Sequence, residues 1–235
     1  AVVGGGGLVL LPALFATFPS AAPATLLGTN KCAGVCGTTW AAVQYARRVS
    51  LQWRVLWPAV AAALLASAWG AHAVMQMDAT LLKRALPVIL LLVLLYTLAR
   101  KDLGREHAPR LKGNTEIAAA MGIGAAVGLY DGFFGPGAGS FLVFLFVRAL
   151  GHDFLHASAH AKVVNVATNL AALVSFAWAG HVWWHLAVPM AVANVLGSVV
   201  GARMALQRGA GFVRAMFIVV VALLILKTGY DAFLR

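Results

Sequence analysis

Hydrophobic residues come in long runs separated by short polar breaks, at about 1–18, 25–46, 55–74, 85–99, 115–133, 138–150, 157–179, 186–206 and 211–229. Several runs approach the roughly 20 residues that carry a helix through ~30 Å of hydrocarbon. The pattern predicts an all-α integral membrane protein with no stretch left for a water-soluble domain. One connector interrupts it. RKDLGREHAPRLKGN, residues 100–114, carries one proline, two glycines and seven ionisable side chains besides His107, so it must lie in water. It divides the chain into 1–99 and 115–235. The chain enters GGGGLVLLPALF almost at once from Ala1, so the start of a first hydrophobic segment is expected to precede Ala1.

The halves repeat one another. Residues 31–76 align with 162–207 without a gap, an offset of 131 (162 − 31). Lys31 falls on Lys162, Trp53 on Trp184, Pro58 on Pro189, Ser67 on Ser198, Gly70 on Gly201 and Gln76 on Gln207. Apolar composition alone matches Ala with Ala, but not Lys, Trp, Pro and Gln in one register. The same offset carries Gly4–Gly7 onto GPGA at 135–138. The halves therefore read as a duplicated membrane unit, a common build of secondary transporters.

Charge decides how the units are related. If 115–150 were one straight crossing, Arg148, Arg203, Arg208 and Arg214 would lie opposite Arg47, Arg48, Arg54 and the basic connector. If 115–150 enters and returns as a hairpin broken at GFFGPGAGS, these residues share one side, and Lys83, Arg84, Lys227 and Arg235 face the other. The hairpin satisfies the positive-inside rule better. Each repeat then has a re-entrant or discontinuous segment plus three spanning helices, an odd number of crossings, and the second is inverted relative to the first.

Composition agrees: 62% hydrophobic and 11% charged residues, with mean hydropathy +0.87, leave too little polar surface to coat a soluble globule. The net charge of +11 is scattered between apolar runs rather than gathered on one face, which argues for membrane orientation and against nucleic acid as a partner.

A lysine inside a membrane helix costs about 2.5–3.5 kcal/mol at the centre, and here one occurs at equivalent positions of both repeats. Lys31 and Lys162 are therefore candidates for binding an anion. The bland alternatives are snorkelling to an interface or pairing with a carboxylate, for which Asp131 and Glu116 are the available acids. Polar and small residues surround each lysine: Thr29, Asn30, Gly34, Gly37, Thr38 and Thr39 in the first repeat, His160, Asn165, Thr168 and Asn169 in the second. Helical spacing puts Asn165 and Asn169 on one face beside Lys162. Any one of these could simply hold helices together, so the cluster carries the expectation. Pro136 and the glycines of GFFGPGAGS, like Gly4–Gly7, disfavour ordinary helix, and a broken helix in a membrane can aim N–H groups at an anion. Gly135, Gly137, Gly139 and Ser140 join the candidate site on that ground. For Gly122, Gly124 and Gly128 close helix packing is the expected role. Asp131, at the start of the break, is the candidate for proton coupling.

Cys32 and Cys36 have Val163 and Ala167 as repeat equivalents and read as packing residues. Trp53, Trp57, Trp183 and Trp184 near segment ends suggest an interfacial belt. No His/Asp/Glu spacing suggests a metal and no nucleotide loop is present, so no cofactor is expected and transport energy must come from a gradient or an unseen partner.

At LLGTNKCAGVCGTTWAAVQYARR, at GLYDGFFGPGAGSFLVFLFV and at HAKVVNVATNLAALVSFAWAGHVWW the chain resembles the TauE/SafE family of membrane permeases, over essentially its whole length. The resemblance implies a multi-pass permease of the bacterial cytoplasmic membrane for small sulfur-containing anions such as sulfite or sulfonates. The positions carrying it are Gly28, Thr29, Asn30 and Lys31, then Asp131, Gly132, Gly135, Pro136, Gly137 and Gly139, with Lys162, Asn165 and Asn169. The paired cysteines of CAGVC depart from it. The expectation is an alternating-access anion carrier, possible as a homo-oligomer, with Lys31 and Lys162 facing one another near the midplane. Its rivals are a proton-coupled importer of organic anions, a passive anion channel, and a thiol oxidoreductase using Cys32 and Cys36.

Overall fold

The computed structural model describes residues 6–47, 49–99 and 111–199, with Ala222, Leu226 and Tyr230. These residues form helices and short turns, with no strand among them. The helices are α1 (Gly6–Thr17), α2 (Pro23–Ala46), α3 (Trp53–Met75), α4 (Ala79–Ala99), α5 (Asn114–Phe133), α6 (Ala138–Leu145) continued by the π-helical turn Phe146–Leu150, and α7 (Phe154–Trp178). A further helix, α8, covers Trp184–Val199. Most of the connector 100–114, the run 211–229, Arg48, and the arginines and lysine beyond residue 200 lie outside the described residues.

Local chemistry sets the boundaries. Pro23 occupies the first turn of α2, where its missing N–H is no loss. Asp153 caps α7 by accepting from the N–H groups of Leu155 and His156 at 2.8 and 3.0 Å. Burial pushes the Asp153 carboxyl up, but the His156 and Leu155 hydrogen bonds outweigh it and hold it below the usual carboxylate range. α4 starts at Ala79, earlier than its apolar run, because Asp78 caps it through Thr80 and Leu81 at 2.8 and 3.1 Å. Lys83 and Arg84 hide that turn from a hydropathy pattern. The expectation that Gly4–Gly7 resist helix needs correction for Gly6 and Gly7, which open α1. Burial of Leu11, Leu14 and Phe15 outweighs the ~1 kcal/mol that a helical glycine costs.

The break at GFFGPGAGS reverses the chain. Gly135 (φ 99°) and Gly137 (φ 82°) take left-handed conformations that only glycine adopts readily. The N–H groups of Phe134 and Gly135 both reach the Tyr130 carbonyl, at 2.8 and 3.2 Å, and the Tyr130 hydroxyl donates to the Pro136 carbonyl. At the other end of this hairpin Glu116, in the first turn of α5, lies 3.5 Å from His152, just past the π-turn. Both ends of 114–152 therefore meet on one side of the molecule.

α3 and α5 run parallel in tight contact. Gly124, Gly128 and Gly132 lie over Ala59, Ala63 and Ser67, both rows at four-residue spacing. A Cβ at each glycine would sit only 2.5, 2.5 and 1.9 Å from the facing carbonyl oxygen. The packing role expected of Gly124 and Gly128 holds, whereas Gly122 meets nothing within 4 Å.

α2 runs antiparallel to α7, since Gly28 meets Phe176 while Gly34, further along, meets the earlier Asn169. One end of the bundle gathers Arg47, Arg54, Gly113 and the Gly151–Asp153 turn, because Arg54 and Gly113 line one surface pocket with Glu116. The other end gathers the turns after α1, α3 and α7, where Lys83 donates to the Pro19 carbonyl at 2.6 Å and Phe18 packs edge-on against Trp183. Two apolar clusters fill these ends: Leu26, Leu27, Val74, Phe134 and Phe176 in one, Leu56, Leu142, Phe146, Leu150 and Val164 in the other. Between them lies a polar layer.

α3 and α7 are each long and apolar enough to cross a membrane. Leu64, Leu65 and Trp69 on α3, Leu91 and Leu92 on α4, and Leu170 and Val174 on α7 present their side chains outward. Such a band suits lipid rather than water. Trp53, Trp57 and Trp184 are exposed near helix ends, while Trp183 packs inward on Phe18.

Candidate functional site

The polar layer encloses a cavity of about 170 Å³. α2 contributes Asn30, Lys31, Gly34, Gly37, Thr38 and Ala41; the hairpin contributes Asp131, Gly135, Gly137 and Gly139; α7 contributes Lys162, Asn165 and Asn169; α8 contributes Asn194, Gly197 and Ser198. Positions 30, 34, 37, 38 and 41 form one helical face, as do 162, 165 and 169. Thr38 and Ala41 carry this lining from the level of the break toward the basic end of the bundle.

At the inner end Lys31, only 1% exposed, is neutralised by Asp131. Its Nζ lies 2.8 Å from Asp131 Oδ1 and also donates to the Asp131 backbone carbonyl. The second carboxylate oxygen accepts from the Thr168 hydroxyl and from Asn165 Nδ2 at 3.3 Å. Asp131 thus ties α5 to α2 and α7 at the point where the hairpin turns. Gly135 is required beside this pair: a Cβ there would lie 2.9 Å from Lys31 Nζ and 3.1 Å from Asp131 Oδ1. Thr168 is held in turn, its carbonyl accepting from Ser67 at 2.7 Å.

Lys162 is in a different situation. It is 4% exposed and lines the same cavity one helical turn from Asn165, yet no carboxylate among the described residues lies within ion-pair range of it. The two lysines therefore do not share one environment: one is an ion pair, the other an ammonium facing the cavity. Asn169 donates to the Asn165 carbonyl at 2.7 Å and turns its Oδ1 toward Gly34; Asn194 donates to the Ala33 carbonyl at 2.8 Å beside Gly37. Asn30 is 6% exposed and its Oδ1 has no hydrogen-bond partner.

Of the residues expected from sequence, Asn30, Lys31, Asp131, Gly135, Gly137, Gly139, Lys162, Asn165 and Asn169 come together here. Thr29 and Ser140 are not among the lining residues. The Thr29 hydroxyl is engaged with the Thr25 carbonyl (2.7 Å) and the Trp183 N–H (3.1 Å), pinning α2 to the turn before α8. Ser140 sits in the first turn of α6 with its N–H on the Gly137 carbonyl at 2.9 Å. His160 faces away as well: its Nε2 accepts from Gln52 N–H at 3.2 Å and its Nδ1 meets His152. Cys32 and Cys36 are both free thiols, Cys32 buried and Cys36 exposed. Asn194 and Gly197 were not anticipated, and Ser198 only as a repeat match. An amide and a hydroxyl four residues apart in the apolar run 186–206 were the available signal. Among the described residues no group of His, Cys, Asp and Glu could hold a metal ion.

Comparison with known proteins gives this geometry a setting. No solved structure matches the chain. It is 36% identical over 233 residues to the "Probable membrane transporter protein YfcA" of Escherichia coli, covering 98% of this chain and 84% of that protein. A "Probable membrane transporter protein" of Haemophilus influenzae is 33% identical over 231 residues, covering 98% and 89% respectively. The "Probable membrane transporter protein ORF9" of a Sinorhizobium species is 32% identical over 221 residues, covering 93% and 82%. Residues 1–228 match the family described as "Sulfite exporter TauE/SafE". A match of that extent, with relatives aligned almost end to end, establishes that this chain belongs to the TauE/SafE family.

Proposed function

We propose that this protein is a secondary transporter of small anions, sulfite, sulfonates or related sulfur oxyanions, working by alternating access as a multi-pass protein of the bacterial inner membrane. The observation that carries the reading is Lys162, an ammonium lining an interior cavity beside an ion pair that is already neutral. With Lys31 and Asp131 cancelling, the lining carries one uncompensated positive charge among the described residues, which a monoanion would neutralise. Family membership and the relatives' printed names agree with transport.

The repeats are inverted in this proposal. Support comes from α2 and α7, which correspond under the 131-residue offset and run antiparallel, and from α6, which corresponds to α1 and leads into the opposite end of the bundle. By the positive-inside rule the end bearing Arg47 and Arg54 faces the cytoplasm, and the cavity extends toward it. Alternating access would then rock α1, α2 and the hairpin about the polar layer.

Coupling would run through Asp131. Its carboxylate holds Lys31 on one side, and Thr168 and Asn165 on the other. A proton on Asp131 would cancel the attraction to Lys31 and free a second ammonium for the anion. This favours proton-coupled movement over a passive channel. The test is a liposome flux assay with sulfite, sulfate, thiosulfate, sulfoacetate and taurine under an imposed pH gradient. Accumulation of at least one anion above its equilibrium level is expected; movement of none, or movement only down its own gradient, would overturn the reading.

A further inference from the structure

The unsatisfied amide of Asn30 adds a requirement that the lysines do not explain. Its Oδ1 is buried and accepts no hydrogen bond, although Asn30 lines the cavity one position before the Lys31–Asp131 pair. Most buried polar atoms are paired, and an orphaned acceptor is costly enough to demand an explanation. Its neighbours cannot supply a donor. Lys31 is turned onto Asp131, Asn169 donates to the Asn165 carbonyl, and Asn194 donates to the Ala33 carbonyl. An anion that presents only acceptor oxygens would satisfy Lys162 and leave this carbonyl stranded.

We infer that the cavity takes a small monoanion that brings its own hydrogen-bond donor, an O–H or N–H given to Asn30 Oδ1, while its charged end lies against Lys162. The inference rests on reading the cavity as the anion site. It narrows the substrate class to hydrogen-oxyanions and hydroxy- or amino-substituted acids over fully deprotonated or alkyl-capped ones. A site built to bond a substrate hydroxyl rejects the analogue lacking it, because the site's own polar group is then left unpaired.

A matched ligand pair separates the two ideas. Isethionate (2-hydroxyethanesulfonate) and propane-1-sulfonate are monoanions of the same length that differ by hydroxyl against methyl. Titration calorimetry on the full chain in detergent should show isethionate binding at least tenfold more tightly, about 1.4 kcal/mol. In Asn30→Leu, a substitution of nearly equal volume, that ratio should collapse toward one. Equal affinities in the unaltered protein would mean that water serves Asn30, and would overturn the inference, as would binding of neither sulfonate. Persistence of the preference in Asn30→Leu would overturn it too. The ratio in the unaltered protein decides the matter even if the variant does not fold. Lys162→Met tests the underlying reading separately: it should lose both ligands, and undiminished binding of both would remove the anion site itself.

Discussion

Two seams cross this molecule, and both rely on glycine for opposite reasons. Between α3 and α5, Gly124, Gly128 and Gly132 lie on backbone carbonyls of Ala59, Ala63 and Ser67. Backbone meets backbone, and neither side can give way. Where α2 faces α7 and α8, Gly34 and Gly37 lie on the side-chain amides of Asn169 and Asn194, at 2.9 and 3.0 Å for an added Cβ. Amides on rotatable stems can move aside, and beside them lies the cavity. The first seam reads as a fixed plate; the second is the adjustable wall of a binding site.

The sharpest way to break this contrast is Gly132→Ala. Its Cβ would lie 1.9 Å from the Ser67 carbonyl oxygen, so α3 and α5 must separate. Ser67 also holds the carbonyl of Thr168, which anchors Asp131, so the damage reaches the site. The expected loss is at least ~2 kcal/mol, at the severe end for overpacking. A large fall in apparent melting temperature in detergent, with poor yield, is the measurement that checks it. A variant as stable as the parent would show that the seam is not rigid.

Asp131→Asn comes next. Removing one partner of a buried ion pair typically costs ~3–5 kcal/mol, lessened here because an asparagine carbonyl can still accept from Lys31. The lining charge rises by one, so a bound anion should restore more thermal stability to the variant than to the parent. Transport should lose its pH dependence. Unchanged pH dependence would leave Asp131 as a tie between α2, α5 and α7 and nothing more.

Much of this arrangement was legible beforehand, and the parts that were not share a cause. Apolar runs gave the helices, and Pro136 with its flanking glycines gave the reversal, because φ values near 99° and 82° at Gly135 and Gly137 are a property of glycine itself. Membership of the site was legible from polar residues at helical spacing in apolar surroundings. Partner choice was not. The repeat alignment made Lys31 and Lys162 equivalents and suggested that they face one another, yet a tertiary contact decides that Asp131 neutralises the first alone. Thr29 likewise sits next to Asn30 in sequence but a third of a turn around the helix, where it meets Trp183 instead of the cavity. The asymmetry between the lysines arises from the break, whose counterpart before α1 would lie at residues 1–5, outside the described part of the chain.

Lys162→Met separates binding from folding on the adjustable side. It keeps a long stem and removes the ammonium, which costs a few kcal/mol to hold in a membrane interior. Melting temperature should stay level or rise. Anion affinity should fall by at least tenfold, as expected when a charged hydrogen bond worth ~1.5–3 kcal/mol is lost. Lys162→Arg should recover only part of it, since a planar guanidinium needs a wider pocket than a compact ammonium. Full affinity in Lys162→Met would move the anion elsewhere.

Gly34→Ala is the smallest change and completes the comparison with Gly132→Ala, because the chemistry of the substitution is identical. Here the added methyl meets Asn169 Oδ1 at 2.9 Å, the free end of a side chain whose Nδ2 is held only by the Asn165 carbonyl. Rotation about the Asn169 side-chain bonds relieves the contact without moving a helix. Alanine also favours the helical state by ~0.5–1 kcal/mol over glycine, which offsets the strain. Stability should therefore change by less than ~0.5 kcal/mol in either direction, whereas the displaced amide alters the cavity wall and lowers anion affinity by a few-fold. Melting temperature and calorimetric affinity measured on the two alanine variants together decide the point. If Gly34→Ala unfolds the protein as Gly132→Ala does, both seams are rigid, and movement of α2 against α7 cannot be how the cavity opens.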